Sequence, residues 1–221
     1  MPTRGRAEQA REVLRLLVDK CRRIEAVTFG IRADEDDKET IETFSSDEWP
    51  DSVKLKIGPR GRGFRDLHVY TNEIAAAYPA DWFHFWDDDM YMESDSWDEI
   101  IRIEGQGHLV LYEHGISMDS PHIMHKDIYN CIGHYARHCA IDSYLQAITN
   151  NLKIDKKIGV YINHKHMKKE WPKERKDQNR LDREAQQNDY VTEFRCKKMK
   201  AMLGEDKKKI IEMLSMKGGR P

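Results

Sequence analysis

The 221-residue sequence lacks the features that mark membrane, secreted and disulfide-stabilised proteins. No apolar run approaches the roughly 20 residues needed to cross a bilayer, which predicts a protein without a membrane span. No signal peptide is predicted, because Met1–Arg6 leads directly into a charged helical pattern. The four cysteines are scattered without a C-x-x-C pair, which indicates a reduced, cytoplasmic protein.

The net charge of −2 conceals a strong asymmetry along the chain. Residues 151–221 carry 20 Lys and Arg against 11 Asp and Glu, so the rest of the chain is acidic. A basic segment of this kind either meets a polyanion or forms a solvated helix of mixed charge, and the interspersed acidic residues favour the helix. We therefore predict one folded domain over 1–170 and a basic, polar, mainly helical extension over 171–221.

Apolar patterns predict alternating helices and strands through the first 165 residues. Predicted helices cover 7–23, 38–44, 66–78, 97–103, 126–134 and 141–152, and predicted strands cover 26–31, 53–57, 82–86, 108–112 and 157–162. Such alternation is typical of an α/β sheet covered by helices on both faces. Chemistry in these sheets gathers where strands end. Those places are 34–37, 58–63, 87–89, 113–114 and 163–166.

Three consecutive carboxylates, Asp87–Asp89, directly follow the apolar strand Trp82–Trp86. Repulsion among such charges at a sheet end is costly unless a cation or solvent relieves it. Mg²⁺ and Mn²⁺ take carboxylate oxygens and retain substrate phosphates, so one interpretation is a metal that bridges the protein and a diphosphate. The other is a solvated acidic turn that opens a helix. Tyr91 and Met92 stand where an EF-hand loop needs an oxygen ligand and a glycine, so that motif fits poorly.

An ordered set of four elements resembles a known family. The opening Pro2–Arg6, the strand end Arg32–Asp37, the glycine-rich loop Gly58–Gly63 and the block FWDDDMYM around Asp87 are similar to GT-A glycosyltransferases, and in particular to compact, family 2-like bacterial and phage-type members. The resemblance covers residues 2–166 and implies a Rossmann-like GT-A fold with a mixed, mostly parallel sheet flanked by helices. Family members carry a hydrophobic strand before the Pro-Thr-Arg-Gly loop, and we expect that strand to be absent here or supplied otherwise.

The resemblance also implies roles for individual residues. The residues implied to bind the nucleotide-sugar donor are Thr3, Arg4 and Arg6, then Asp34 or Asp36, and finally Asp87 and Asp88 of the acidic triplet. The residues implied to hold the metal are Asp89, Asp87, His164 and His166. Inverting members place a carboxylate at a later helix start as general base, and Asp142 is the matching residue.

Other candidates come from the residues themselves. Arg62 in the glycine-rich loop suits a donor phosphate or is a solvated turn residue. Asp66 contacts the donor sugar or caps a helix. His122 lies in a predicted acceptor-side loop, where it binds substrate or is structural. Tyr91 and Trp97 stack on a sugar or base of the acceptor, or pack in the core.

The implied reaction moves a hexose or pentose from a UDP-, GDP- or dTDP-sugar to a hydroxyl acceptor. Mn²⁺ or Mg²⁺ neutralises the leaving diphosphate, and a carboxylate removes the acceptor proton. The basic extension motivates a hydroxylated base in DNA as acceptor, and a glycan or lipid-linked sugar is the rival. Two other classes stay open: a metal-dependent phosphohydrolase or nuclease, and a non-catalytic nucleic-acid-binding module.

Overall fold

The structure is a computed structural model of the chain and describes residues 1–46, 48–114, 122–150, 152–164 and 197–217. Helices and strands alternate in the first part of these residues; later, strands follow one another directly in two places and helices in one. The helices are α1 (Ala7–Asp19), α2 (Lys38–Phe44), α3 (Leu67–Ala77), α4 (Trp97–Glu104), α5 (Lys126–Ile132), α6 (Ile141–Thr149) and α7 (Lys197–Met216). The strands are β1 (Phe29–Asp34), β2 (Val53–Gly58), β3 (Trp82–His84), β4 (Met90–Met92), β5 (Val110–His114), β6 (His122–His125) and β7 (Asp155–His164).

The strands form a parallel pair and a five-stranded mixed sheet. β1 runs parallel to β2, from Phe29 opposite Val53 to Asp34 opposite Gly58. The larger sheet has the order β3-β6-β5-β7-β4, and only its β5–β7 pair is parallel. The predicted α/β class with a mixed sheet flanked by helices is confirmed. Parallel pairing is less frequent than expected, because the short strands β4 and β6, which were not predicted, both pair antiparallel.

The core consists of two apolar clusters, each covered by helices. α1 covers the first cluster through Ala10, Val13, Leu14 and Leu17, which recur at helical spacing and are buried. α5, α6 and α7 cover the second cluster. Since most of these helices are too short to persist in isolation, burial of their apolar faces holds them in place. None of the described helices combines the length and the apolar character that a membrane span requires.

The described part of the predicted C-terminal extension is helix α7, and it packs against the second cluster. Met199 and Ile210 are buried in that cluster. The carboxylate of Asp206, which is 0% exposed, accepts a hydrogen bond from the Tyr144 hydroxyl and lies 3.1 Å from the Arg137 guanidinium. The helix is therefore docked on the body of the protein. The boundary predicted near residue 170 falls outside the described residues.

The first three residues lie alongside β1 in a short ladder of backbone hydrogen bonds. The Met1 nitrogen donates to the Gly30 carbonyl at 2.6 Å, and the Arg32 nitrogen donates to the Met1 carbonyl at 3.1 Å. The Thr3 nitrogen then donates to the Arg32 carbonyl at 3.2 Å. Gly5 turns the chain towards α1 with a φ of +61°, which glycine adopts without strain. This short ladder fixes the amino-terminal loop, residues 1–6, at the carboxyl end of β1.

Candidate active site

Ion pairs join the amino-terminal loop to the carboxyl end of β1. Arg4 Nη1 lies 2.6 Å from Asp34 Oδ2, and Arg4 Nη2 lies 3.2 Å from Asp36 Oδ2. Partial burial lowers the pKa of Arg4, but these two carboxylates raise it further than burial lowers it. The Gly5 nitrogen donates to Asp37 Oδ2 at 2.9 Å, and Asp37 also caps α2. The structure thus brings together Arg4, Asp34 and Asp36, which the resemblance assigned to the nucleotide.

A buried arginine, Arg32, fixes the same region from inside. Its side chain is 2% exposed, and its guanidinium donates to Asp34 Oδ1 at 3.0 Å and to the Pro59 carbonyl at 2.7 Å. Its Nε lies 2.9 Å from Glu73 Oε2. Because a buried charge requires such compensation, Arg32 positions both Asp34 and the glycine-rich loop. The sequence interpretation assigned Arg32 no individual role, because the predicted strand ended at residue 31, whereas β1 extends to Asp34 and buries this arginine.

The acidic triplet forms a tight turn between β3 and β4. The Met90 nitrogen closes this turn by donating to the Asp87 carbonyl at 3.3 Å. Asp88, which is 4% exposed, accepts from the Thr3 hydroxyl at 2.9 Å and lies 2.9 Å from Arg6 Nη1. The middle carboxylate therefore ties the amino-terminal loop to the turn. Thr3 and Arg6, both assigned to the donor by resemblance, lie beside the triplet as a result.

Asp87, Asp89 and His164 form a group that can hold a metal ion. Each offers one ligand atom, and these atoms lie within 4.8 Å of one another. Met90 pairs with His164 across β4 and β7, which brings His164 Nε2 to 2.9 Å from Asp89 Oδ1. Two ligand atoms that each lie about 2.1 Å from one ion are about 3 Å apart when adjacent and about 4.2 Å apart when opposite. Small side-chain rotations are therefore enough to bring the three ligand atoms to these separations. Two carboxylates and one imidazole suit a divalent ion that leaves positions open to phosphate.

The predicted base, Asp142, lies in the first turn of α6 and is half-buried. Burial raises the pKa of Tyr135 well above its ordinary value, and the carboxylates of Asp142 and Glu113 raise it further, so both lie near this tyrosine. The Tyr135 hydroxyl accepts from the Phe85 nitrogen at 3.3 Å, two residues before the triplet. Glu113, at 1% exposure, lies 2.7 Å from His84 Nε2.

The other predicted residues contact groups of the protein itself. Arg62 pairs with Asp66 at 2.6 Å, so the two hold the glycine-rich loop next to α3. Tyr91 is 7% exposed and donates its hydroxyl to Glu12 at 3.1 Å; burial, together with this bond, raises its pKa to about 12. Trp97 is 5% exposed and donates its Nε1 to a carbonyl of α1. Both rings therefore pack in the core, and the acceptor contacts expected of Tyr91 and Trp97 stay predictions.

Two predicted histidines have no described side chain. His122 begins β6, so this position lies in a strand opposite Tyr112 rather than in the predicted loop. His166 lies outside the described residues, two positions beyond the end of β7. Their expected roles at the acceptor and at the metal stay predictions.

No protein-family model matches the sequence, and no curated protein matches it. The fold is similar to that of S. aureus TarS. The structure of TarS 1–349 in complex with UDP matches with a TM-score of 0.57 at 12% identity, over 73% of this chain and 58% of that chain. The fold is that of a GT-A glycosyltransferase. TarS 1–349 without UDP matches with a TM-score of 0.55 at 11% identity, over the same 73% and 58% of the two chains.

A further TarS structure matches with a TM-score of 0.52 at 11% identity, over 72% of this chain and 35% of that chain. The chain thus spans less than two thirds of the TarS chains it matches. The glycosyltransferase fold expected from the four sequence elements is confirmed. The family 2-like and phage-type assignment stays a prediction.

Proposed function

We propose that the protein is a metal-dependent glycosyltransferase that moves a sugar from a nucleotide-sugar donor to a hydroxyl acceptor. One observation carries the proposal: in a GT-A fold, Asp87, Asp89 and His164 converge beside the arginine-bearing amino-terminal loop. A divalent ion next to arginine side chains is the arrangement that neutralises a nucleoside diphosphate. UDP bound to the structural neighbour TarS makes a UDP-sugar the first donor to test, ahead of GDP- and dTDP-sugars.

In this proposal the donor diphosphate binds between the metal group and Arg6. Asp87, Asp89 and His164 would hold Mn²⁺ or Mg²⁺, with His166 as a further ligand, and the ion supplies Lewis-acid stabilisation of the departing diphosphate. Arg6 is already fixed to the triplet through Asp88, so its positive charge is positioned before the donor arrives. Such positioning lowers the reorganisation needed in the transition state.

We assign the general base to Asp142. Its carboxylate takes the proton from the acceptor hydroxyl as that oxygen attacks the anomeric carbon of the donor sugar. The new C–O bond forms while the bond to the diphosphate oxygen breaks, and the diphosphate leaves with the electron pair. A single attack from the side opposite the leaving group inverts the anomeric configuration, so we propose an inverting enzyme.

For the acceptor we propose a hydroxylated base in DNA, a polyanion, as the first candidate, and a glycan or lipid-linked sugar as the second. Support comes from α7, which carries six lysines against three acidic residues over Lys197–Met216. Lysines that neutralise phosphates make binding steeply dependent on salt. Binding to duplex DNA that is weak and insensitive to salt would count against DNA and leave the glycan.

Calorimetry of UDP in the presence and absence of Mn²⁺, followed by assays of UDP-sugar turnover, tests the proposal. Asp89→Asn is expected to abolish metal-dependent UDP binding, because it removes the charge of one ligand. Asp142→Asn is expected to keep that binding and to slow sugar transfer by about 10²- to 10⁴-fold. Asp155→Asn, which changes an exposed carboxylate at the start of β7, is the matched control and is expected to match the parent in both measurements.

Absence of nucleotide binding with every donor and metal, or an Asp89→Asn protein that behaves like the parent, would refute the proposal. Release of phosphate or cleavage of DNA without any sugar donor would identify the rival class, a metal-dependent phosphohydrolase or nuclease.

A further inference from the structure

Two stacked aromatic rings lie at the carboxyl ends of β5 and β7. Tyr161 of β7 pairs with His114 of β5 in the sheet, and their ring centroids are 4.7 Å apart with an angle of 19° between the ring planes. Tyr161 is nevertheless 52% exposed. Because His114 covers one face of the Tyr161 ring, exposure of this extent leaves the opposite face open to solvent.

Backbone hydrogen bonds hold Tyr161 in place. Its nitrogen donates to Ser94 Oγ at 2.7 Å, and its carbonyl accepts from the Glu93 nitrogen at 2.9 Å. Both partners belong to the segment that follows β4. A tyrosine side chain has few rotatable bonds and is supported here by a second ring, so little conformational entropy is lost when a ligand binds. The open face is therefore a pre-organised surface for a flat group.

The open ring lies on the same side of the sheet as α6, which carries Asp142. The even-numbered residues of β7 from Ile158 to Ile162 belong to the first apolar cluster, so Tyr161 points to the opposite side, where α6 covers the second cluster. Thr149, at the end of α6, shares a hydrogen bond of 2.7 Å with Tyr112 of β5. Only five residues then connect α6 to β7, so α6 runs antiparallel to β7. The first turn of α6, which holds the proposed general base, therefore lies towards the carboxyl end of β7 and the aromatic pair.

The flat, open face of Tyr161 matches the chemistry of the acceptor proposed above, a base in DNA. An enzyme cannot reach its target atom on a base inside a duplex, so the base must first be unpaired. An unpaired base loses its stacking neighbours, and the face of an aromatic side chain replaces them. We propose that the open face of Tyr161 is a stacking platform for one unpaired base of DNA, on the side of the sheet that carries Asp142. This inference rests on the proposed function and deepens it, because it assigns a binding residue to the acceptor.

The charges near the platform indicate that stacking, rather than contact with phosphates, is its contribution to affinity. Lys153 and Lys157 are exposed near the start of β7, but Asp155 between them is exposed as well. Lys157 precedes Tyr161 by four residues, about 13 Å along the strand, so it does not reach the phosphate of a base stacked on the ring. The dependence of binding on salt counts the phosphates that are neutralised. Loss of the ring should therefore weaken binding without changing that dependence.

Fluorescence anisotropy of a labelled oligothymidylate of about 12 nucleotides, titrated with the full chain at several salt concentrations, tests the platform. Tyr161→Ala is expected to raise the Kd about 5- to 150-fold at each salt concentration, with the slope of log Kd against log salt unchanged. Tyr161→Phe keeps the ring and should bind like the parent. Ile103→Ala is the matched control, because Ile103 is 56% exposed on α4 and its loss also removes exposed apolar surface.

Calorimetry of UDP with Mn²⁺ on the same proteins separates this inference from the proposed function. The parent and Tyr161→Ala should bind UDP equally, because Tyr161 is not among the donor residues. If neither protein binds a nucleotide while oligothymidylate binding still depends on the ring, the glycosyltransferase proposal fails and the platform stands. If UDP binds but Tyr161→Ala keeps the parent's Kd for the oligonucleotide, the platform is wrong and the proposed function stands.

Three other results would also overturn the platform. Ile103→Ala would lose as much affinity as Tyr161→Ala, which would show a general effect of lost apolar surface. Tyr161→Phe would lose as much as Tyr161→Ala, which would assign the contact to the hydroxyl rather than to the ring. A soluble oligosaccharide such as maltohexaose would bind in a manner that depends on Tyr161 while the oligonucleotide does not bind, which would assign the ring to a sugar.

Discussion

Removal of His164 should weaken metal binding without disturbing the fold. His164 supplies the imidazole of the three-residue group, and its Nε2 lies 2.9 Å from Asp89 Oδ1. Loss of a residue that only supports a metal ligand lowers metal affinity by about 10- to 100-fold. We therefore expect the loss of a ligand itself to raise the Kd for Mn²⁺ by about 100-fold, the upper end of that range. Two carboxylates would remain, so we expect weakened rather than abolished binding.

This change in affinity translates into a thermal shift. At a Mn²⁺ concentration 100 times the Kd of the parent, the ion stabilises the parent by about 2.7 kcal/mol. The same concentration equals the Kd of His164→Ala, where the stabilisation falls to about 0.4 kcal/mol. For a chain of this size the parent should gain about 5–11 °C in Tm and the variant only about 1–2 °C.

The assay compares each protein with and without Mn²⁺, so that any change in the metal-free Tm cancels. His108→Ala is the matched control, because His108 follows α4 and does not belong to the metal group. Calorimetric titration gives the Kd directly. If His164→Ala gains as much Tm as the parent, or if the His108 variant loses the same gain, the assignment of the metal group is wrong.

Three further perturbations have defined outcomes. Asp206→Ala removes a fully buried carboxylate that accepts a hydrogen bond from Tyr144, so we expect the free energy of unfolding to fall by about 3 kcal/mol. Calorimetry should then show a Tm lower by about 6–12 °C, and an unchanged Tm would show that α7 is not docked there. Thr3→Val removes the hydroxyl bond to Asp88, and urea unfolding should show a loss of about 1–3 kcal/mol, with no loss contradicting the tether. The Met1 amine is neutral in the folded protein above about pH 5 but protonated in the unfolded chain up to about pH 8, so stability should rise with pH between these values by at most roughly 4 kcal/mol. Acetylation should remove that slope in pH-dependent unfolding, and a slope that survives acetylation must come from other groups.

Local patterns predicted most of the regular elements. α2 covers the predicted residues 38–44, and β2 and α4 begin where the apolar pattern begins, because short-range periodicity and burial point to the same structure there. β4 and β6 were missed. Each has only three or four residues, too few to show a clear apolar period, and β4 pairs with β7, which lies far away in the chain. β6 pairs with the distant β3 as well as with the preceding strand β5.

The candidate site divides in the same way. The position of Asp87–Asp89 after a buried strand was readable from the sequence, and so was the series of acidic and basic residues at other strand ends. Which residue contacts each carboxylate of the triplet could not be predicted from the sequence, because this depends on contacts between distant segments. Thr3 and Arg6 bind Asp88, whereas His164 approaches Asp89.

Sequence alone thus determined the class of the fold, the order of most elements and the place where carboxylates gather, since each follows from the spacing of apolar and charged residues. Only the tertiary structure decided which residues meet. It buried Tyr91 and Trp97 in the core and set Arg32 behind Asp34. Those outcomes depend on how strands pair across the chain, and strand pairing is a long-range property that local spacing does not specify.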